Sequence, residues 1–238
     1  MRIAIIQSCY IPWKGFFDLI GRCDRYVTYD RAQFVKGHWH NRNRIKTAAG
    51  VKWLTIPVKT SGQLGQLIRD VEVSEKWADR HWSTIKQAYR QARYFADYAE
   101  LIGSWYEQAD KTENLSQINA IFIKGIASLL ELTTTITDDT EYGFDGAPSE
   151  KVLAIVRAAG ADRYLSGPSA KSYLDESIFA ASGIAVDWMD YGPYKSYPQL
   201  HGAFDHAVSS LDLLFNTGPE AISYFRPATS ADAGAKVS

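Results

Sequence analysis

Between His38 and Thr47 the chain reads HWHNRNRIKT, with two His, two Asn, two Arg and one Lys in ten residues and no carboxylate. Four chemistries suit these types: a metal site, a nucleic-acid arm, an anion cradle and an ordinary solvated hairpin. His38 and His40 have an H-x-H spacing, but no third ligand stands nearby and the adjacent cations would repel a metal, so no metal is expected. An anion cradle suits the residues best. Arg42 and Arg44 can hold phosphate or carboxylate with two parallel hydrogen bonds, Lys46 adds a point charge, and Asn41 and Asn43 add directional bonds. If the segment is a strand, its period of two puts His38, His40, Arg42, Arg44 and Lys46 on one face, which should point into a cleft. Trp39 and Ile45 should then pack on the other. Asp30 and His40 are the candidate general bases.

Three further stretches carry chemistry. In QSCYIPWKGFFDLI, Gln7 and Tyr10 are polar residues at a strand end, Trp13 follows, and Lys14 opens a helix where nucleotide-binding α/β enzymes place phosphate. Nucleotidyltransferases of the HxGH type carry two histidines at this spacing; here Trp13 and Phe16 replace them, which argues against adenylyl transfer. YLSGPSAKSYLD offers Ser166, Gly167, Ser169, Lys171 and Tyr173 after a strand, the pattern of a ligand loop. YGPYKSYPQ brings three tyrosines with Tyr197 and Gln199, an aromatic loop suited to stacking on sugars or bases. Asp212, inside the apolar SLDLLFN, reads as a buried structural hydrogen-bonding group.

The elements that must position these residues follow from periodicity. RIAIIQ is a short β-branched run, a buried strand; IPWKGFFDLIGRC has helical spacing; RYVTYD is a second strand ending at Asp30. FVKGHWHNRNRIKT and VKWLTIPVK read as extended, forming a β-hairpin. Glu75–Arg90, Phe95–Gln108 and Leu115–Leu130 read as amphipathic helices. The α/β alternation then resumes with TTTIT, a helix from Ser149 capped by that serine, RYLSG, a short helix ending at Gly183, IAVDWMDY and a last helix from Ser209. The expected fold is α/β, an open, mostly parallel Rossmann-like sheet with a helical block at about 75–130 inserted and a β-hairpin. Residues 1–227 form one domain and 228–238 a disordered tail. In such sheets ligands bind beyond the carboxyl ends of the strands, where strand order reverses.

Charge and cysteine usage limit the partners. From Arg31 to Arg69 there are eight Lys and Arg and no Asp or Glu, whereas the whole chain carries −1, so the remainder carries −9. A local basic face on a neutral molecule suits a small anionic ligand and gives neither nucleic acid nor an anionic membrane a broad surface. Two cysteines make no disulfide framework, no signal peptide or membrane span is legible, and a cytoplasmic protein is expected. No cofactor is specified, and a homodimer is compatible with the sequence.

Taken in order, the landmarks IIQ..Y.PW.G.FDLI, CD.YV.YD..QF, NRN.IK, LTIPV, YLSG...K.YLD, Y.QL...F and S.LDLLFN.G resemble the WbqC-like protein family over nearly the whole chain. Ser8-Cys9 departs from it, since the family usually shows Pro and Asn there, which argues against Cys9 as a nucleophile. The resemblance implies a bacterial protein associated with O-antigen and other surface-polysaccharide biosynthesis, and it favours the anion cradle because NRN.IK is a matching stretch. The expected function is a transferase acting on a nucleotide-activated amino sugar by acyl or aminoacyl transfer, with a nucleotide sugar or an acyl or nucleotide donor as anionic ligand. The alternatives are a diverged nucleotidyltransferase and a non-catalytic sugar-nucleotide-binding protein.

Overall fold

The computed structural model describes residues 1–62 and 64–224; residues 225–238, with the expected tail, lie outside the described residues. Strands β1 (Arg2–Ile6), β2 (Arg25–Thr28), β5 (Thr135–Asp138), β6 (Arg163–Ser166) and β7 (Ala185–Trp188) form one sheet in the order β5-β2-β1-β6-β7. Every pairing in it is parallel. A strand covered on both faces can be apolar at successive positions. In β1, Ile3 and Ile5 face one core cluster with Val27, Ile155, Val156 and Phe179, while Ala4 faces a larger one with Phe17, Leu19 and Tyr26.

Helix α1 (Lys14–Ile20) crosses from β1 to β2, and all seven of its residues are buried. Strands β3 (Arg42–Thr47) and β4 (Gly50–Thr55) form the antiparallel hairpin. Gly50 takes a positive φ of 104° at the turn, a conformation open to glycine at little cost. The helical block α2 (Ala78–Tyr89), α3 (Phe95–Ala109) and α4 (Leu115–Leu129) separates β4 from β5. Helices α5 (Pro148–Ala158) and α6 (Glu176–Ala181) follow β5 and β6, and α7 (Ser210–Thr217) closes the described fold with Ser209 accepting from Leu211 N–H as its cap.

Three local expectations are corrected. Ser149 does not cap α5: the helix starts one residue earlier, Glu150 Oε2 accepts from Ala147 N–H, and the Ser149 hydroxyl instead accepts from Asp175 N–H at 3.0 Å. His38, Trp39 and His40 lie in turns before β3, because the strand begins only at Arg42. Trp39 consequently does not pack inward; it is 39% exposed and stacks on Trp53 with ring centroids 5.2 Å apart.

The chain runs outward from β1 to β2 and β5, then returns to place β6 on the opposite side of β1. Strand order therefore reverses between β1 and β6, and connections leave the sheet in opposite directions there. Such a split opens a crevice beyond the carboxyl ends of the two strands.

Candidate functional site

That crevice exists as a cavity of about 600 Å³, within the range of small-molecule sites. Gln7 and Cys9 enter it from the end of β1, Ser166, Gly167 and Ser169 from the end of β6, and His38 and His40 from the turns before the hairpin. Tyr173 and Tyr191 close its sides, with Tyr173 66% exposed at the edge. A Cβ on Gly167 would lie 3.5 Å from the Tyr191 hydroxyl, an ordinary contact distance, so the two residues face each other across the crevice. Among the described residues no three His, Cys, Asp or Glu side chains converge as a metal-binding set.

His40 is held by the chain that follows β1. Its Nδ1 lies 3.1 Å from the Ser8 carbonyl oxygen. That oxygen only accepts, so Nδ1 carries the ring proton and Nε2 keeps its lone pair. Burial pushes the ring's pKa down to about 4, with the neighbouring His38 acting in the same direction. The two rings lie 4.8 Å apart. The neutral form is therefore the resting form near pH 7. Ser8 is fixed from its other side: its N–H donates to Asp30 Oδ1 at 2.8 Å, and its hydroxyl accepts from Asn119 Nδ2 at 2.9 Å. Asp30 also accepts from the Ser116 hydroxyl.

Asp30 itself opens on a different cavity, with Thr28, Ser116 and Asp138. The two candidate bases do not share a site, and Asp30 bears on the crevice only by holding the Ser8 backbone in position. Burial drives its carboxyl upward, and the bonds from Ser116 and Ser8 oppose that.

A second cavity, about 340 Å³, adjoins the crevice, and Cys9 lines both. This slot is walled by Pro12, Trp13, Phe16, Trp39 and Ala207, with Asn43 at its floor. Trp13 is braced from behind by Tyr191 and Tyr194, at centroid distances of 5.4 and 5.9 Å. Asn43 is engaged at both ends of its amide: the nitrogen donates to the Tyr10 and Ile11 carbonyls at 3.1 and 2.9 Å, and the oxygen accepts from Arg44 N–H at 2.7 Å. These bonds dock the hairpin on the loop between β1 and α1. Burial pushes the Cys9 thiol up to about 12, with the Asp30 charge adding to it, so it stays a neutral thiol.

The basic stretch is divided among three environments. Arg42 and Arg44 lie over the exposed Trp39–Trp53 pair: Arg42 is 4.3 Å from the Trp53 ring centre, and Arg44 is 6.0 and 5.8 Å from Trp39 and Trp53. Arg44 Nε donates to the carbonyl of Ala207 at the slot edge, at 2.9 Å. Lys46 turns into the protein, where its Nζ donates to Gln199 Oε1 at 2.9 Å and to the Ala203 carbonyl. It belongs to a buried network centred on Asp212, whose carboxylate accepts from the Tyr89 and Tyr197 hydroxyls and from Gln199 Nε2 at 2.8, 2.7 and 2.7 Å. Lys46, Tyr197 and Gln199 thus do not reach the crevice; they satisfy one another, as buried polar groups must.

The remaining expected site residues are also accounted for. Tyr10 is wholly buried, with its hydroxyl 2.9 Å from His81 Nδ1 and 2.8 Å from the Tyr106 hydroxyl, so it is a core residue and not a pocket wall. Lys14 is buried among the rings of Tyr194, Tyr197 and Phe204 at 5.1–5.3 Å, its Nζ without a hydrogen-bond partner. Burial lowers its ammonium to about 8 against the pull of Asp212. Asn41 donates to the Ile56 carbonyl at 2.8 Å, and Lys171 lies 5.4 Å from the Trp188 ring. Gln7, His40, Ser166, Gly167 and Tyr173 are brought together in the crevice and Trp13 in the slot. Tyr29, Tyr191 and Ala207 went unread as site residues; only Tyr191 carried a signal, as part of the aromatic YGPYKSYPQ loop.

Among known proteins, the model of the WbqC-like protein family matches residues 7–224. A protein of Mycobacterium tuberculosis (strain ATCC 25618 / H37Rv), described as uncharacterized protein Rv1507c, is 42% identical over 226 residues, which cover 94% of this chain and 97% of that protein. No solved structure matches.

Proposed function

The chain belongs to the WbqC-like protein family, and on that premise we propose that it is a transferase acting on a nucleotide-activated amino sugar in bacterial surface-polysaccharide biosynthesis, by acyl or aminoacyl transfer. One observation carries the proposal: a crevice of mixed polar and apolar lining at the strand-order switch point and an aromatic slot meet at Cys9, giving two adjoining subsites. Transfer between two bound molecules needs that arrangement, because holding both reactants together supplies much of the rate.

In this reading the acceptor lies in the crevice. Gln7, Ser166, Ser169 and the Tyr191 hydroxyl offer hydrogen bonds to the sugar and its diphosphate. The donor's transferred group lies in the slot, with its phosphate against Arg42 and Arg44 at the outer edge. The acceptor's amine nitrogen attacks the acyl carbon. A C–N bond forms, the bond to the thiolate or phosphate leaving group breaks, and His40 Nε2 takes the amine proton. Its tautomer is fixed by Ser8 and its ring is uncharged at neutral pH, so Nε2 has a free lone pair for that proton.

Titration calorimetry with UDP-glucosamine tests the acceptor site. We expect micromolar to millimolar binding that is lost in Ser166→Trp, which fills the crevice. Absence of heat with any nucleotide amino sugar would sink the proposal. Tight binding with no product from any acyl donor would make the protein a sugar-nucleotide-binding protein instead.

A further inference from the structure

We infer that the slot takes an uncharged acyl group and rejects an aminoacyl cation; the inference rests on the transferase reading above and narrows its donor class.

The slot's walls are two indoles, a phenyl ring, a proline and an alanine. Its two polar side chains offer a ligand's charge no counter-ion. Asn43 spends its amide donors on the carbonyls of Tyr10 and Ile11, and its uncharged oxygen already accepts from Arg44 N–H. Cys9 is a neutral thiol, and no Asp or Glu lines the slot. An ammonium entering would lose its water and find no anion, and an unpaired buried charge is strongly disfavoured.

Aromatic walls can attract cations through their faces, so the indoles need separate weighing. Trp39 is already next to positive charge, and Trp13 is one ring removed from it. The Arg44 guanidinium lies 6.0 Å from the Trp39 ring centre, and Arg42 covers the partner ring Trp53 at 4.3 Å. On the inner side, Trp13 packs on Tyr194, whose ring centre is 5.3 Å from the Lys14 ammonium. A further cation between these would be repelled. A flat, apolar group meets none of these costs, and its carbonyl would emerge past Cys9 toward His40 in the crevice.

Two isosteric probes separate the alternatives: butyramide, which is neutral, and β-alaninamide, which puts an ammonium where butyramide has its methyl. Saturation-transfer NMR on the full chain is expected to show butyramide binding at least tenfold tighter than β-alaninamide. Binding should disappear in Ala207→Trp, a substitution at an exposed position on the slot edge. Should that variant not fold, nuclear Overhauser contacts from the butyramide methyl to the Trp13 and Trp39 indole protons in the unmodified chain decide the same question. Equal or tighter binding of β-alaninamide, or butyramide binding that survives Ala207→Trp with no indole contact, overturns the inference. UDP-glucosamine is titrated separately. Its failure to bind with butyramide still in the slot defeats the transferase reading alone, and the converse result defeats the slot inference alone.

Discussion

At the scale of single residues, the site turns on the backbone of one residue. Ser8 gives its N–H to Asp30 and its carbonyl to His40, so the carboxylate on one side and the imidazole on the other are fixed by the two peptide groups that meet at Ser8. The roles can be separated by substitution. His40→Asn keeps an N–H donor near the position of Nδ1 and removes the lone pair of Nε2. We expect UDP-glucosamine binding to stay within about threefold in calorimetry, while turnover falls by roughly 10²–10⁴, the usual contribution of a positioned base. A turnover loss below tenfold would remove His40 from the chemistry. Asp30→Ala acts differently, leaving the Ser8 N–H buried without its acceptor. It should destabilise the protein by about 1–3 kcal/mol in urea unfolding, and an unchanged midpoint would show that water replaces the carboxylate. The residue types of the crevice were partly legible in the sequence because Gln7 and Ser166–Gly167 stand at strand ends. The shared Ser8 backbone was not, since it binds two residues, each more than twenty positions away, through main-chain atoms that nearly any residue has.

At the scale of elements, the hairpin and the helical block position the slot and the crevice. The sequence's period of two holds from Arg42 to Ile45; it fails before them, across turns that Gly37, with its φ of 81°, already introduces, and after them at the buried Lys46. Alternation cannot show where a strand begins when the preceding residues happen to alternate too. Nor can it show that Lys46 would turn inward, because a buried Lys needs acceptors, and Gln199 and Ala203 come from a segment more than 150 residues away. Helices α3 and α4 offer a test of packing against propensity. Gly125 lies inside α4, and a Cβ there would fall 2.6 Å from the Trp105 indole of α3. Alanine should favour an isolated helix by about 1 kcal/mol over glycine. Overpacking a buried contact costs about 1–3 kcal/mol. We expect Gly125→Ala to be net destabilising, with a melting temperature several degrees lower. A raised melting temperature would mean that the indole moves aside freely and that α3 and α4 are not closely fitted here.

At the scale of the whole molecule, the parallel sheet and inserted helices were readable from alternating periodicities, and so was the rule that puts a ligand at the strand-order reversal. Which strands flank that reversal depends on β6 returning beside β1, a long-range pairing that no local pattern encodes. The same long-range assembly gives the molecule a pH dependence. His81, on α2, is buried against Tyr10 in the loop after β1, and burial lowers its pKa from 6.5 to about 4, with Arg80 and Lys52 acting in the same direction against a bond to the Thr55 carbonyl. Its folded-state pKa is below the unfolded one, so between pH 4 and 6.5 the unfolded chain binds the extra proton. Stability from this residue is therefore complete above pH 6.5 and falls as pH drops toward 4, by about 1.4 kcal/mol per pH unit. Asp30, Asp139 and Asp212 oppose this trend: burial raises their carboxyls, so their contribution weakens as pH rises from 3.8 through their raised values. The total slope mixes the two, and a difference isolates the histidine. Urea unfolding of the protein and of His81→Gln at intervals from pH 7 to 5 should give free energies whose gap is constant above pH 6.5 and shrinks by about 1.4 kcal/mol per unit below it. A gap that does not change with pH would mean that His81 takes up its proton in the folded protein as readily as in the unfolded chain, and that burial against Tyr10 and α2 does not hold the imidazole neutral.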